Sequence, residues 1–389
     1  MTTRSLRSPD YLEYASAVDD LRAEYDAIPA GAPVRLAKRT SNLFRPRNPT
    51  TTPGLDVSAF SGVLEVDEER RTADVLGMTT YEDLVAATLP HGLVPLCVPQ
   101  LRTITLGGAV TGLGIESGSW RNGVPHESVL DMDILTGDGR VVTASPTNEH
   151  RDLFYGFPNS YGSLGYALRL RIELEPVTPF VSLRHVACGD ATGLAETIDA
   201  VVRHGSYDGE RFDYVDGTVF SRGESYLTLA TYAETADQPP SDYTGEQIYY
   251  RSIQQRRGDV LTVHDYLWRW DTDWFWCSRA FGAQNPVVRR FWPKDRLRSD
   301  VYWKLVALDR RTALSSRLNT VRRRPQREPV VQDIEVPVQR LPEFLDFFHR
   351  EVGISPVWVC PLRSRDPDTT WPLYELDPAT TYVNVGFWS

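Results

Sequence analysis

The sequence predicts an α+β protein built from two domains. Segments with alternating apolar residues are joined as hairpins and interspersed with segments of helical periodicity. At 389 residues and 44.0 kDa the chain is long enough for two separate cores. The stretch Glu175-Pro176-Val177-Thr178-Pro179 ends a strongly alternating segment and is the best boundary, so domains of 1–178 and 179–389 are predicted.

The first domain begins with a helix over 10–26, where apolar residues recur at helical spacing after Asp10. Short strands follow at 34–37, 62–67 and 72–76; the last two flank a polar turn and predict a hairpin. Thr80 is a suitable N-cap for a helix over 80–89 because acidic residues follow it. After a glycine-rich run come strands over 129–135 and 140–143, joined by Gly137-Asp138-Gly139, and a long strand over 164–174.

The second domain alternates between helices and strands. Helices are predicted near 190–204 and 340–350, and strands near 210–232, 329–338, 356–362 and 381–388. The acidic, proline-containing segment 234–246 is predicted to be a loop. Six of the ten tryptophans fall within 264–303, which is compatible with an apolar substrate channel or with an ordinary core.

Composition narrows the function classes. The formal net charge of −10 argues against nucleic-acid binding. The four cysteines form no CxxC pair, so neither a structural metal nor a disulfide framework is expected. With no apolar leader at the N-terminus and no apolar run of membrane-spanning length, the predicted location is the cytoplasm, with peripheral contact to a membrane surface as the alternative.

The richest motif is the glycine run, Thr105-Leu106-Gly107-Gly108-Ala109-Val110-Thr111-Gly112-Leu113-Gly114-Ile115-Glu116-Ser117. Glycines allow backbone to approach a ligand closely and can turn amide N–H groups toward a diphosphate. The run fails the Rossmann fingerprint because Ser117 stands where the last glycine belongs. From the residues alone, a dinucleotide cradle and a set of tight turns both remain open.

The order of motifs resembles the flavin domain of the vanillyl-alcohol-oxidase (PCMH-type) superfamily. Within it the chain looks most like the Δ24-sterol reductases and the actinobacterial methylene-fatty-acid reductases, over about residues 34–388. The resemblance rests on the glycine run, Gly123-Val124-Pro125-His126, Leu135-Thr136-Gly137-Asp138-Gly139, Gly162-Ser163-Leu164-Gly165, Trp292-Pro293-Lys294, Val330-Val331-Gln332-Asp333 and Tyr382-Val383-Asn384-Val385-Gly386.

This resemblance implies an FAD-binding domain of two α+β subdomains and an α+β cap domain that contacts substrate. It implies NADPH as the electron donor and FAD bound without a covalent link, because no histidine lies in the first phosphate loop, where Lys38-Arg39-Thr40-Ser41-Asn42 stands. Relatives continue beyond Trp388-Ser389, so this chain is expected to lack their C-terminal segment and to have a more open site. The cofactor-binding residues expected on this basis are Thr40, Ser41, Asn42, Thr105, Gly107, Gly108, Ala109, Thr111, Gly112, Glu116, Ser117, His126, Gly162 and Gly165.

Lys294, Lys304 and Asp333 are the candidate catalytic residues. A lysine near the flavin offsets the charge of its reduced form or donates a proton, whereas a lone lysine is more often a solvated surface residue. Asp333 and Glu335 alternate on one strand face, which suits either acid–base chemistry or a merely polar sheet face. The arginines of 322–327 suit a phosphate group or a solvated turn equally.

The leading hypothesis is an FAD-dependent oxidoreductase that uses NADPH to reduce a carbon–carbon double bond in a lipid. The substrate would be a methylene-branched fatty acyl chain or a sterol side chain. Two alternatives stay open: an FAD-dependent oxidase of an alcohol or sugar that uses oxygen, and a flavin-binding partner of a lipid methyltransferase without catalysis of its own.

Overall fold

The computed structural model of the protein describes residues 9–38, 54–245, 247–312 and 331–388. They form two compact units. Unit 1 holds the described residues of Met1–Ile115, Asn122–Val177 and Ser364–Ala379. Unit 2 holds those of Glu116–Arg121, Thr178–Arg363 and Thr380–Ser389.

Unit 1 contains four helices and six strands among its described residues. The helices are α1 (Tyr11–Asp26), α2 (Tyr81–Thr88), α3 (Leu106–Thr111) and α5 (Arg151–Gly156). Helix α4 (Ser119–Asn122) lies where the chain passes from unit 2 back to unit 1. The strands are β1 (Val63–Asp67), β2 (Thr72–Leu76), β3 (Leu93–Pro95), β4 (Val129–Leu135), β5 (Val141–Ala144) and β6 (Tyr166–Pro176).

These six strands form one antiparallel sheet in the order β1-β2-β6-β4-β5, with β3 pairing on the end of β6. Helix α1 begins at Asp10, whose carboxylate accepts the Glu13 N–H in a capping box. The buried side of α1, centred on Leu21, packs on a cluster that includes Phe60, Leu76 and Leu168. The long strand β6 therefore forms the centre of unit 1.

Unit 2 carries the remaining elements of the described chain. Its helices are α6 (Ala191–His204), α7 (Tyr249–Gln255), α8 (Val263–Leu267), α9 (Pro286–Phe291), α10 (Ser299–Thr312) and α11 (Leu341–Glu351). Its strands are β7 (Phe180–Ala187), β8 (Ser206–Tyr207), β9 (Glu210–Arg211), β10 (Tyr214–Ser221), β11 (Glu224–Ala233), β12 (Gly258–Thr262), β13 (Val331–Pro337), β14 (Val357–Leu362) and β15 (Tyr382–Trp388).

Seven of these strands pair antiparallel in the order β12-β7-β11-β10-β14-β15-β13 within the described residues. One face of this sheet is apolar and is covered by α6 and α11, whose Ile198 and Leu345 are fully buried in a common core with Val359 and Val385 of the sheet. Alternation along the strands sends the intervening residues to the other side.

That other side is termed the polar face. Residues that pair across neighbouring strands lie on the same side of a sheet. The register therefore groups them: His185 pairs with Thr228, Thr228 with Asp216, Thr218 with Trp358, Cys360 with Asn384, Asn384 with Glu335, and Gly386 with Asp333. The predicted common face of Asp333 and Glu335 is thus present.

Most predicted elements agree with the structure, but two points differ. Residues 34–37 form no strand; Leu36 makes a single parallel bridge to Leu55. The other difference concerns two short stretches. Residues 116–121 pack with unit 2 and residues 364–379 pack with unit 1, whereas a boundary at 178 would place each stretch in the other unit.

Candidate flavin site

The glycine run folds as a short helix rather than as an open loop. Thr105 caps α3, its Oγ1 accepting the Gly108 N–H at 3.3 Å. The Leu106 N–H donates to Thr79 O and the Gly107 N–H to Gly77 O, each at 2.9 Å. Because the Gly112 N–H also donates to Gly108 O at 2.9 Å, these amides are already used. The predicted amide cradle for a diphosphate stays a prediction, and over this part of the run the amides have partners within the protein.

Several glycines of the motifs are required by backbone packing. A Cβ on Gly107 would lie 2.7 Å from Gly77 O, and one on Gly114 would lie 2.8 Å from Pro99 Cγ. Gly165 has φ +131°, and its Cβ would lie 2.2 Å from Leu135 O. The buried Ala109 and the hydroxyl of Thr111, which donates to Gly107 O at 2.7 Å, complete the packing of α3. These residues place α3 against the sheet, and direct contact with a cofactor stays a prediction for them.

The structure brings the Gly162 motif to the end of the glycine run. The Asn159 N–H donates to Val110 O at 3.2 Å, and the Tyr161 N–H donates to Thr111 O at 2.8 Å. Asn159 and Tyr161 both adopt left-handed backbone, with φ of 59° and 52°. Such conformations in residues other than glycine are uncommon and concentrate at functional sites.

Around this junction lie buried polar side chains that have no hydrogen-bond partner among the described residues. They are the amide of Gln100, the Asn159 Nδ2 and the Ser160 Oγ. Each residue is at most 8% exposed. Asn159 hydrogen-bonds to the end of the run and Ser160 follows it in sequence. Gln100 follows Pro99, which packs on Gly114 at the other part of the run. Sequence reasoning missed them; their only signal was their position beside the glycine motifs.

These unpartnered groups fit a flavin dinucleotide. Burial of a polar group without a hydrogen bond costs free energy, so such groups in a folded protein indicate a missing partner. An amide and a hydroxyl provide both donors and acceptors, which suits the carbonyl, N–H, hydroxyl and phosphate oxygens of FAD. Among the described residues, side chains beside the run therefore offer unpartnered polar groups, whereas the amides within it are engaged.

His126 is a second buried polar group in unit 1. It is fully buried, and neither ring nitrogen has a partner among the described residues. Burial lowers the pKa of His126 to about 3, so the ring is neutral at physiological pH. It packs edge-on against Trp371 at a ring-centroid distance of 4.5 Å and against Tyr374 at 5.9 Å. A neutral imidazole can present one donor and one acceptor to a ligand.

The segment 364–379 supplies that aromatic cover. Arg365 fastens it, because its backbone N–H donates to Glu127 Oε2 at 2.7 Å and its guanidinium forms two bonds to Glu173. Trp371 is buried and also contacts Phe154, at a centroid distance of 6.0 Å. The contact between His126 and Trp371 spans most of the chain, which explains why sequence spacing gave no sign of it.

Glu116 and Ser117, predicted to contact the cofactor, lie in unit 2 with their side chains engaged. Glu116 is buried; its Oε1 accepts the Gly118 N–H at 2.7 Å and its Oε2 accepts the Ser117 hydroxyl at 3.0 Å. Ser117 Oγ also lies 3.0 Å from Tyr266 OH and accepts from Arg269 Nη2 at 3.3 Å. These contacts explain the place of 116–121 in unit 2, and a role toward FAD stays a prediction.

Asp216 forms the centre of the same network on the polar face. Its Oδ2 accepts from Arg269 at 3.1 Å and from the indole N–H groups of Trp270 and Trp358 at 2.7 and 3.0 Å. We call these residues with Ser117 the Asp216 cluster. Arg269 also donates to Tyr249 OH at 3.2 Å, and its guanidinium lies 3.9 Å from the Tyr266 ring centroid. All three bonds to Asp216 converge on Oδ2, and the cluster links Ser117 of the segment 116–121 to this buried ion pair.

The predicted catalytic lysines lie on the surface. Lys294 donates to Asp242 at 2.9 Å and Lys304 to Asp300 at 3.1 Å, and both side chains are about seven-tenths exposed. Asp333 accepts from Asn384 Nδ2 at 3.1 Å on the polar face. Although Asp333 is accessible to solvent, the protein around its carboxyl raises its pKa, and the hydrogen bond from Asn384 opposes that shift. The catalytic roles of all three stay predictions.

The tryptophan-rich segment forms core in unit 2. Trp268, Trp270, Trp274 and Trp276 are each at most 5% exposed. Phe275 stacks on Trp388 at a centroid distance of 4.1 Å. Packing among these rings favours the core interpretation over an apolar channel within the segment itself. Thr40, Ser41, Asn42 and the arginines of 322–327 lie outside the described residues.

Comparison with known proteins indicates an FAD-binding domain in the N-terminal part of the chain. Residues 9–145 match the FAD binding domain family. The chain is 26% identical to Delta(24)-sterol reductase of Arabidopsis thaliana over 79% of its length, and 26% identical to that of Homo sapiens over 83%. Over 40% of the chain it is 30% identical to Cytokinin dehydrogenase 10 of Oryza sativa subsp. japonica, of which the match covers 28%. The resemblance read from the motifs is confirmed.

The matched part spans 56% of the Arabidopsis reductase and 62% of the human one. Mixed helices and antiparallel sheets agree with a PCMH-type FAD-binding domain, so the predicted fold class is confirmed. The family match and the reductase relatives together support an FAD-dependent oxidoreductase. Among the described helices, none combines the length and the apolar composition that crossing a bilayer requires.

Proposed function

We propose that this chain, whose N-terminal part matches an FAD binding domain, binds FAD and reduces a carbon–carbon double bond of a lipid with electrons from NADPH. One observation carries the proposal: the similarity to Delta(24)-sterol reductases extends over about four-fifths of the chain and thus through both units. The sterol side chain is the candidate substrate that the names of those relatives support, and a methylene-branched fatty acyl chain is the other candidate.

Gln100, Asn159 and Ser160 would hold FAD by hydrogen bonds, with the predicted Thr40, Ser41 and Asn42 contributing phosphate contacts. His126, neutral and unpartnered among the described residues, would add one donor or acceptor. When bound, FAD supplies the redox chemistry, accepting electrons from NADPH and delivering hydride to one alkene carbon. The protein itself contributes binding, orientation and a proton for the second alkene carbon.

Asp333 is the preferred proton donor among the three predicted catalytic residues. Asn384 Nδ2 orients one of its oxygens, and desolvation shifts the pKa of the carboxyl upward, a shift that its solvent exposure limits. The two lysines are less suitable, because each ammonium is exposed and paired with a carboxylate.

Lipid analysis after turnover tests the activity. Purified protein with FAD and NADPH, incubated with a methylene-branched fatty acyl lipid or with a sterol carrying a side-chain double bond, should yield a product two hydrogens heavier by mass spectrometry. Asp333→Asn should lower the rate by about 100-fold or more, in the range of general acid catalysis, while leaving FAD bound. Glu335→Gln, altering the neighbouring carboxylate on the same face, is the matched control.

Two other outcomes would redirect the assignment. The partial match to a cytokinin dehydrogenase favours, as second candidate, oxidation of a small molecule; peroxide formation with an alcohol or sugar and no response to NADPH would support it. Retention of FAD with no turnover in either direction would favour a binding partner of a lipid methyltransferase.

A further inference from the structure

Helix α9 exposes an apolar face to solvent. Val287, Val288 and Phe291 are 68%, 41% and 80% exposed. Residues three and four apart lie on the same side of a helix, so the three side chains form one surface. An exposed phenylalanine is unremarkable alone, but a contiguous apolar surface indicates an interaction site.

The inner face of the same helix is charged, which reverses the usual pattern of a surface helix. Arg289 is 4% exposed and forms two hydrogen bonds to Asp273, at 2.7 and 3.0 Å. It also donates to the carbonyls of Gly245, Tyr243 and Gln247 at 2.6 to 3.0 Å. Since a buried arginine is costly unless fully paired, this anchor fixes which face of α9 turns outward.

Basic side chains border the apolar surface. Arg290 and Arg296 are exposed, and Arg296 is kept near α9 because the Trp292 indole N–H donates to its carbonyl at 3.1 Å. Lys294 and Asp295 lie between them in sequence, but Lys294 is paired with Asp242, so the two arginines define the basic border. Because the whole chain carries a formal charge of −10, a basic border around an exposed apolar surface is a local departure from the protein's overall charge.

We propose that this α9 face, defined by Val287, Val288, Phe291, Arg290 and Arg296, docks on an anionic lipid bilayer. Apolar side chains would enter the headgroup region while the arginines meet lipid phosphates. Charge complementarity favours this occupant over a symmetric contact with a second copy, in which the same arginines would face each other. The inference goes beyond the proposed redox function and requires no flavin chemistry.

Vesicle co-sedimentation with the FAD-loaded full chain tests the apolar part. Vesicles of phosphatidylcholine and phosphatidylglycerol in equal parts should pellet the wild-type protein. Val287→Ser/Phe291→Ser should bind at least about tenfold more weakly, because two exposed apolar side chains no longer insert. The matched control is Val352→Ser/Phe347→Ser, a pair 45% and 48% exposed at the C-terminal end of α11, which should bind like wild type.

A second variant tests the contribution of the two arginines to vesicle binding. Arg290→Gln/Arg296→Gln should weaken binding to the anionic vesicles by about tenfold or more at low salt, with the difference shrinking as salt screens the charges. Arg22→Gln, an exposed arginine of α1, is the control. Circular dichroism and flavin content should be the same for all these proteins.

Three results would overturn the proposal. They are wild-type protein that stays in the supernatant with anionic vesicles, α9 variants that bind as wild type does, and a wild-type dimer that Val287→Ser/Phe291→Ser converts to monomer. The last would assign the surface to a second copy of the chain. None depends on turnover, so a failure here is distinguishable from failure of the proposed reductase activity.

Discussion

Arg269→Met is expected to destabilise unit 2 by about 3–5 kcal/mol. The substitution leaves the carboxylate of Asp216, which is 1% exposed, without its cationic partner in a site that water does not reach. Hydrogen bonds from Trp270 and Trp358 remain and compensate only in part. Denaturation in urea, followed by tryptophan fluorescence, is a suitable measurement because nine of the ten tryptophans lie in unit 2.

The double variant Arg269→Met/Asp216→Asn separates a lost ion pair from lost packing. Asparagine keeps an oxygen acceptor for the indoles and carries no charge, so the double variant should be more stable than Arg269→Met alone. Arg203→Met, which removes an exposed pair with Asp199 on α6, should change stability by less than about 0.5 kcal/mol. Equal stability of the single and double variants would contradict a dominant role for the buried charge.

Acidification is expected to weaken unit 1 through His126. In the folded protein burial holds the pKa of His126 at about 3, whereas an unfolded histidine titrates near 6.5. Between these values the unfolded state binds more protons, so the free energy of unfolding falls as pH decreases from about 6.5 to about 3. The total loss from this group is about 4–5 kcal/mol, or about 1.4 kcal/mol per pH unit.

His126→Phe removes the titrating group while keeping an aromatic ring beside Trp371. Its free energy of unfolding should fall less steeply than that of wild type between pH 6 and pH 4, by about 1 kcal/mol per unit. Trp371, the one tryptophan in unit 1, reports this transition. His204→Phe alters an exposed histidine and should retain the wild-type slope. His185 also lowers the free energy of unfolding of unit 2 as pH decreases, since burial lowers its pKa to about 4. Identical slopes for wild type and His126→Phe would refute the assignment.

Local patterns predicted much of the fold. Periodicity and caps identified α1 and α2, and polar turns identified the hairpins of unit 1, because neighbouring residues determine those features. The strand predicted over 34–37 is absent, since Leu36 makes only one bridge. The glycine run forms helix α3 because Thr105 caps it and Gly77 leaves room for close packing, which a composition rich in glycine does not reveal.

The site was predictable only where its residues adjoin a motif. Asn159 and Tyr161, just before the Gly162 motif, hydrogen-bond to the end of the glycine run. The unpartnered Gln100, Asn159 and Ser160 depend on burial and on missing hydrogen bonds, which no spacing rule reports. Pairing of Ser117 with Arg269 and of His126 with Trp371 joins residues far apart in sequence, and a single sequence carries no record of such contacts.

The absorption spectrum of the purified protein under anaerobic conditions is the most direct test of FAD binding and of reduction by NADPH. We expect a bound, non-covalent FAD that NADPH bleaches and that an unsaturated lipid of the accepted class re-oxidises. Asn159→Ala/Ser160→Ala should lose most of this FAD, whereas Ser145→Ala, which alters a half-buried loop serine, should keep it. A wild-type protein that remains colourless after incubation with FAD would contradict the account.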